Sequence, residues 1–221
     1  MSGTRVDFYL DFISPYAFFA LDRIRSTASP EAIDWQVRPV VYAKLLEAHG
    51  LVGPVETQAK RRYTMLDLVR IAEHRGIELV GPPAHPFRSL ASLRALLLFA
   101  GTEHALPVAY AISRAAWVEG LDLEDWSVLE TCVISAGANA DTLEQRATAP
   151  ENKVRLIEST ASAIERGVFG VPSFELNGEL FWGHDRLNTL FERLDGTRPS
   201  PNAKTVEKLL SRPIGVRRPT N

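Results

Sequence analysis

Sequence patterns typical of β-strands occur only near the two ends of this 221-residue chain, which limits the folds that it can adopt. Apolar residues alternate with period two over residues 6–12, as in a half-buried strand. Ser14-Pro15 follows, a pair typical of a helix start, with serine at the N-cap and proline at the first helical position. A second strand is predicted over residues 33–41, and Pro39 favours its end or a sheet edge there. The chain therefore begins as β-α-β.

The remaining strand signals lie after residue 168. Two apolar segments, residues 171–176 and 179–182, flank Asn177-Gly178, a dipeptide typical of a hairpin turn. Apolar residues at helical spacing follow over residues 186–194. The chain is therefore predicted to end as β-β-α.

More than 100 residues between these two ends carry helical spacing. The predicted helices cover residues 43–73, 90–99, 106–119, 126–136 and 142–166, with a proline-rich loop at 81–86. Since neither end has enough strands for its own sheet, we expect both ends to build one. This predicts an α/β fold, with a four-stranded thioredoxin-like domain and a large all-helical insertion. The predicted boundaries are 1–42 plus 160–195 for the thioredoxin-like domain, 43–159 for the insertion and 196–221 for a C-terminal extension.

Composition excludes several classes of function. Cys132 is the one cysteine, so the chain can form neither an intrachain disulfide nor a Cys-x-x-Cys redox or zinc pair. The five histidines lack metal-ligand spacing, so we expect no metal site. A net charge of −2 argues against nucleic-acid binding. We also expect a cytoplasmic protein without a membrane partner, because no signal-peptide core or membrane-spanning segment is evident.

Motifs at both ends of the chain carry a family resemblance. Residues 8–16, FYLDFISPY, resemble the opening of 2-hydroxychromene-2-carboxylate isomerases and kappa-class glutathione transferases. Residues 167–174 and 181–187 resemble their closing motif, and His85-Pro86-Phe87 and residues 117–120 resemble the isomerases. The resemblance implies a thioredoxin domain with a helical insertion. It also implies that glutathione supplies the reactive thiol, because related DsbA-type oxidoreductases carry Cys-x-x-Cys where this chain has residues 14–17.

Ser14 is the catalytic residue that this resemblance implies. A helix N-terminus presents unpaired N–H groups and a partial positive charge, which favour an anion. A thiolate is the nucleophilic form of a thiol, and Ser14 would stabilise it by donating its hydroxyl hydrogen. From the Ser-Pro pair alone, the simpler interpretation is an N-cap whose oxygen accepts from backbone N–H groups.

The other implied glutathione contacts lie near the C-terminal strands. The resemblance implies that Val171-Pro172 is a cis peptide whose Val171 backbone binds the cysteinyl unit, although most X-Pro bonds are trans. It also implies that Trp182-Gly183-His184-Asp185 holds the γ-glutamyl group, since a glycine before a helix lets a ligand approach the backbone. The alternatives are that Asp185 is a helix cap and that Trp182 is a core residue.

Four residues are predicted to contact the acceptor substrate. Phe87 and Arg88 follow the His-Pro pair, and an arginine suits a substrate carboxylate. Relatives commonly have asparagine at the position of Arg88, so the native substrate stays open. Tyr16 and Lys60 complete the predicted set. The alternative interpretation makes Arg88 and Lys60 ordinary solvated surface residues.

The function that the resemblance implies is a glutathione-dependent isomerase of 2-hydroxychromene-2-carboxylate type. The bound thiolate would add reversibly to a conjugated, small aromatic carboxylate from aromatic catabolism, allow bond rotation and leave again, so glutathione is a cofactor. A kappa-like glutathione transferase, which releases the adduct, is the first alternative. A non-catalytic thioredoxin-fold binding module is the second. Because the family leans towards dimers, a homodimer is the expected assembly if the chain associates.

Overall fold

The computed structural model of the chain describes residues 3–27 and 33–213. Over these residues four strands form one sheet: β1 Thr4–Leu10, β2 Ile33–Pro39, β3 Ser173–Leu176 and β4 Glu179–Trp182. The strand order is β2-β1-β3-β4, with β2 parallel to β1 and the other two pairs antiparallel. The two ends of the chain thus build one sheet, which confirms the predicted thioredoxin-like α/β fold.

Helices connect these strands, although the segment predicted as helical over residues 43–73 is two helices, which end and begin on either side of residues 49–57. Helix α1, Pro15–Arg25, joins β1 to β2, and no strand interrupts residues 40–172, all of which the structure describes. The helices over those residues are α2 Tyr42–Ala48, α3 Gln58–Arg75, α4 Leu90–Leu97, α5 Ala105–Trp117, α6 Trp126–Ser135, α7 Leu143–Thr148 and α8 Pro150–Glu165.

The single helix predicted over residues 142–166 is wrong. The structure ends α7 at Thr148 and starts α8 at Pro150, with Ala149 in an extended conformation between them. A proline ring clashes with a helical conformation of the residue before it, so a new helix has to begin at Pro150.

Aromatic packing holds the two ends of the chain together. Phe8 on β1 lies directly opposite Phe174 on β3, with their ring centroids 4.7 Å apart, and both side chains are fully buried. Trp35 on β2 packs edge to face with both rings, at centroid distances of 6.3 and 6.0 Å. These contacts bring the turn after β1 beside the turn before β3.

The chain divides into two units, residues up to Leu187 and residues from Asn188 onward. The first contains the sheet and α1 to α8, so the predicted boundary between sheet domain and insertion stays a prediction. The second contains most of α9, Leu187–Leu194, and α10, Ala203–Leu210, which Asn202 caps by accepting from the Thr205 N–H at 3.1 Å. The last part of the predicted extension, residues 214–221, lies outside the described residues. Within the described ranges, no helix is long and apolar enough to cross a membrane.

We predict that Phe174→Ala lowers the free energy of unfolding by about 3–5 kcal/mol, because it removes a buried ring and leaves a cavity beside Phe8. Urea unfolding followed by circular dichroism measures the change. Val154→Ala is the control, since Val154 is exposed on α8 and its loss should cost less than about 0.5 kcal/mol. Equal costs for the two variants would contradict the role of the Phe8–Phe174 contact.

Candidate active site

A cavity of about 600 Å³ lies beside the turn that follows β1. Its walls come from the start of α1, from α2 and α3, from the 53–56 segment and from the turns on either side of the C-terminal strands. Most of the predicted site residues line it, namely Ser14, Tyr16, Val171, Pro172, Trp182, Gly183, His184 and Asp185. The fold thus brings residues from both ends of the chain to one cavity.

Ser14 is directed across the cavity floor towards the C-terminal strands. It occupies the N-cap position of α1, yet its side chain makes no capping hydrogen bond. The buried hydroxyl instead donates to the Val171 carbonyl oxygen at 3.2 Å, across 157 residues of sequence. The interpretation of Ser14 as a cap that accepts from backbone N–H groups is therefore wrong. Its hydroxyl faces the residue that precedes Pro172.

The Val171-Pro172 peptide bond is cis, as the resemblance implies. The Pro172 carbonyl oxygen accepts from the Gly183 N–H at 2.9 Å, which ties this turn to the segment after β4. The Ser173 hydroxyl donates to the Gly170 carbonyl oxygen at 2.7 Å and closes the turn from the other side. The backbone of Val171 is thereby fixed opposite the start of α1.

Trp182 is exposed rather than a core residue, because 55% of its surface remains accessible. Its ring packs on Phe169 with the centroids 4.9 Å apart. This position requires glycine at residue 170, since a Cβ there would lie 2.6 Å from the indole nitrogen of Trp182. The core interpretation of Trp182 is therefore wrong, and its side chain forms part of the cavity rim.

Residue 183 has to be glycine for two reasons. Its φ of +103° lies in a region that glycine adopts without the steric penalty of other residues, and a Cβ would lie 2.6 Å from Asp185 Oδ1. Asp185 is exposed and forms an ion pair with Arg186 at 3.2 Å. Such an exposed pair contributes little to stability and can exchange partners easily.

The rings of Tyr16 and His184 form an aromatic wall of the cavity. The Tyr16 and His184 rings are stacked, with centroids 5.2 Å apart and planes 4° from parallel. The Tyr16 hydroxyl donates to Asp67 Oδ2 at 2.9 Å, and burial together with Asp67 raises the pKa of Tyr16. Burial lowers the pKa of His184. Both shifts favour uncharged rings, so the wall suits a flat organic group.

Asp11 holds the loop before Ser14 and is not among the site residues predicted from the sequence. Asp11 is only 2% exposed, and its carboxylate accepts from the N–H groups of Ile13 at 3.1 Å and Tyr42 at 2.9 Å. Burial raises the pKa of Asp11, whereas hydrogen bonds from Ser89 and the two backbone groups act in the opposite direction. The available signal was its place in the short segment between β1 and α1.

Three residues predicted to contact the substrate lie elsewhere. Phe87 and Arg88 line a separate depression with Asp122, Leu123 and Glu124, although the preceding His85 and Pro86 line the cavity. Lys60 is exposed on α3 and does not line the cavity either. The substrate role of these three residues therefore stays a prediction. Among the residues that line the cavity, Arg186 supplies a guanidinium group.

The cavity lining contains no thiol from the chain itself. Cys132 lies on α6, where burial raises its pKa to about 11, and it is absent from the lining. Within the described residues, no group of three or more His, Cys, Asp or Glu side chains is placed to hold a metal ion. Chemistry in this cavity that depends on a thiol would thus need a thiol that is brought in.

Comparisons with known proteins match the chain to a family of thioredoxin-like domains and find named enzymes of similar sequence. The DSBA-like thioredoxin domain family matches residues 5–195. The chain is 34% identical over 188 residues to 2-hydroxychromene-2-carboxylate isomerase from Pseudomonas putida, covering 82% of this chain and 90% of that protein. It is 22% identical over 214 residues to glutathione S-transferase kappa 1 from Caenorhabditis elegans, covering 90% and 94%. A solved structure of 2-hydroxychromene-2-carboxylate isomerase superposes with a TM-score of 0.78 and 28% identity, covering 93% of this chain and 99% of that one.

We predict that the protein loses stability as the pH falls from 7 to 5, in part through His184. Because burial lowers its pKa in the folded state, the unfolded chain binds more protons once the pH falls below about 6.5. His184→Gln should therefore make the unfolding free energy depend less on pH over this window. Urea titrations at several pH values measure this, with the exposed His74→Gln as the control. An unchanged pH dependence in His184→Gln would contradict the prediction.

Proposed function

Because the chain belongs to the 2-hydroxychromene-2-carboxylate isomerase family of DSBA-like thioredoxin domain proteins, we propose that it is a glutathione-dependent isomerase. Its homologues support an isomerase of that family. The proposal has two parts: the reaction depends on glutathione, and Ser14 stabilises its thiolate. The observation that carries both is the hydroxyl of Ser14 facing the backbone of Val171 within the cavity.

The contact between Ser14 and Val171 is suited to an exchange of partners. The Val171 carbonyl oxygen now accepts from the Ser14 hydroxyl at 3.2 Å. A peptide N–H of glutathione can replace that donor, which leaves the hydroxyl hydrogen of Ser14 to a thiolate beside it. Each group keeps a hydrogen bond through this exchange. The site can therefore take up a cysteinyl peptide without leaving a buried carbonyl unpaired.

The start of α1 favours the charged form of such a thiol. Helix N-termini carry partial positive charge and lower the pKa of a thiol held there. A free thiol with a pKa of about 8.5 is mostly protonated at neutral pH. When bound, glutathione supplies a thiolate that adds reversibly to a conjugated double bond, so that the bond can rotate before the thiolate leaves.

The segment after β4 is proposed to hold the γ-glutamyl end. The backbone at Gly183 is open to a ligand because it lacks a Cβ, and the exposed Asp185 can accept from an ammonium group. Arg186, its ion-pair partner, can then turn to the carboxylate of the acceptor substrate. Asp185 would thus recognise the amino end of glutathione.

The aromatic wall is proposed to bind the acceptor. The stacked rings of Tyr16 and His184 offer a flat, uncharged surface, and Trp182 adds a further exposed ring at the rim. A small aromatic carboxylate fits this surface, with Arg186 as the lining cation. Direct contacts of the substrate with Phe87, Arg88 or Lys60 are not part of this proposal, since these side chains do not line the cavity.

A transferase is the second candidate function. The similarity to glutathione S-transferase kappa 1 over 90% of the chain favours it, and the same site would serve. In a transferase the thioether product is released and glutathione is consumed. Product analysis therefore separates the two functions, because an isomerase returns all of the glutathione.

We predict that Ser14→Ala lowers kcat by about 100-fold or more, because the thiolate loses a directed hydrogen-bond donor. The assay follows isomerisation of 2-hydroxychromene-2-carboxylate with reduced glutathione. Ser26→Ala is the matched control, since Ser26 is an exposed serine at the other end of the same helix. Its rate should equal that of the unmodified protein.

Full activity of Ser14→Ala would contradict the assigned role of this hydroxyl. Absence of activity in the unmodified protein, with glutathione still bound, would instead favour a transferase or a binding module. The two results separate the role of the residue from the identity of the reaction.

A further inference from the structure

Side chains from the helical insertion hold the loop that carries Ser14. The Phe12 carbonyl oxygen accepts from the indole N–H of Trp117 at 3.0 Å, a contact that spans 105 residues of sequence. The next carbonyl, that of Ile13, lies 2.9 Å from His85 Nε2, across 72 residues. Two consecutive peptide groups before Ser14 are thus fixed from outside the loop.

His85 and Trp117 also hold each other. Their rings meet edge to face, with centroids 5.3 Å apart and planes at 69°. The Trp117 carbonyl oxygen accepts from the N–H groups of Val80 at 3.1 Å and Gly81 at 3.0 Å. These bonds attach the proline-rich loop that carries His85 to the end of α5. The two side chains therefore act as one rigid support.

The hydrogen bond to Ile13 determines which ring nitrogen of His85 carries the hydrogen. A carbonyl oxygen can only accept, so Nε2 carries the hydrogen. Nδ1 is buried and has no hydrogen-bond partner among the described residues. A proton there would add a buried donor without an acceptor, and burial accordingly lowers the pKa of His85. The neutral ring makes one directed hydrogen bond, to the loop.

That bond acts on Ser14 through a single peptide group. The Ile13 carbonyl and the Ser14 N–H belong to the same planar unit, and the Ser14 N–H donates to the Asp11 carbonyl oxygen at 3.1 Å. Because both ends of this peptide plane are held by hydrogen bonds, the orientation of the backbone at Ser14 is fixed. The donor from His85 also offsets the negative end of a carbonyl dipole close to the proposed anion.

We propose that His85 and Trp117 are positioning residues, which keep Ser14 and the first turn of α1 directed at the anion site. Through these two side chains the helical insertion orients Ser14 as well as lining the cavity. The identity of the anion as a thiolate rests on the proposed function, but the positioning of residue 14 does not.

The test introduces a titratable probe at the site itself. Ser14→Cys places a thiol at the start of α1, and the pH dependence of its alkylation by iodoacetamide gives its pKa without any glutathione. Cys132 does not interfere, because it is buried with a pKa raised to about 11 and its peptide is distinguished by mass spectrometry. The midpoint is then compared in double variants.

In the Ser14→Cys background, His85→Leu should raise the alkylation midpoint by about one pH unit, a tenfold change in proton affinity. Trp117→Phe, which keeps an aromatic ring but lacks the N–H, should shift it in the same direction. His85→Gln should restore the midpoint, because its amide nitrogen can donate from nearly the position of Nε2.

Asn152→Ala is the matched control. Asn152 donates to the carbonyl oxygens of Arg94 at 2.9 Å and Ala147 at 3.0 Å, so its loss removes similar bonds away from the loop. It should lower stability and leave the midpoint unchanged. An unshifted midpoint in His85→Leu, an equal shift in Asn152→Ala or no rescue by His85→Gln would overturn the proposal.

If His85→Leu fails to fold, the alkylation midpoint of Trp117→Phe tests the proposal in its place. The midpoint is measured without glutathione, so it does not depend on the cofactor. If the unmodified protein did not bind reduced glutathione, the proposed function would fail while the shift in the thiol midpoint would still stand.

Discussion

The pairing of β1 with β3 determines where the two ends of the chain meet. It joins segments from opposite ends of the chain, and the stacked rings of Phe8 and Phe174 fix their register. Because of this register, the turn after β1 and the turn before β3 lie side by side. The hydroxyl of Ser14 can reach the carbonyl of Val171 only because the strands meet in this way.

The sequence predicts those parts of the fold that local patterns determine. Alternating apolar residues over 6–12, the Ser14-Pro15 pair and the Asn177-Gly178 turn each have a local physical cause, and the structure has strands, a helix start and a hairpin there. The break at Pro150 had a local cause too, but continuous apolar spacing on both sides concealed it. Periodicity alone cannot separate one bent helix from two short ones.

The site was predictable only where it follows directly from the ends of strands. Ser14 and Val171 come from such turns, whereas His85 and Trp117 act through hydrogen bonds to distant backbone groups. Asp11 lies in the same turn as Ser14, but its bond from the Tyr42 N–H is distant as well. No local spacing encodes those partners. The same reason applies to Phe87, which follows the cavity-lining Pro86 but lines a different depression with Arg88. The direction of a loop side chain depends on packing that forms only in the complete fold.

We propose that the start of α1 holds a glutathione thiolate, and calorimetric titration with reduced glutathione tests this proposal. The titration is repeated near neutral pH in buffers that differ in their enthalpy of ionisation. We expect saturable binding with release of about one proton per molecule bound, because the free thiol is mostly protonated and the bound one is not. Binding without proton release, or no binding, would contradict it.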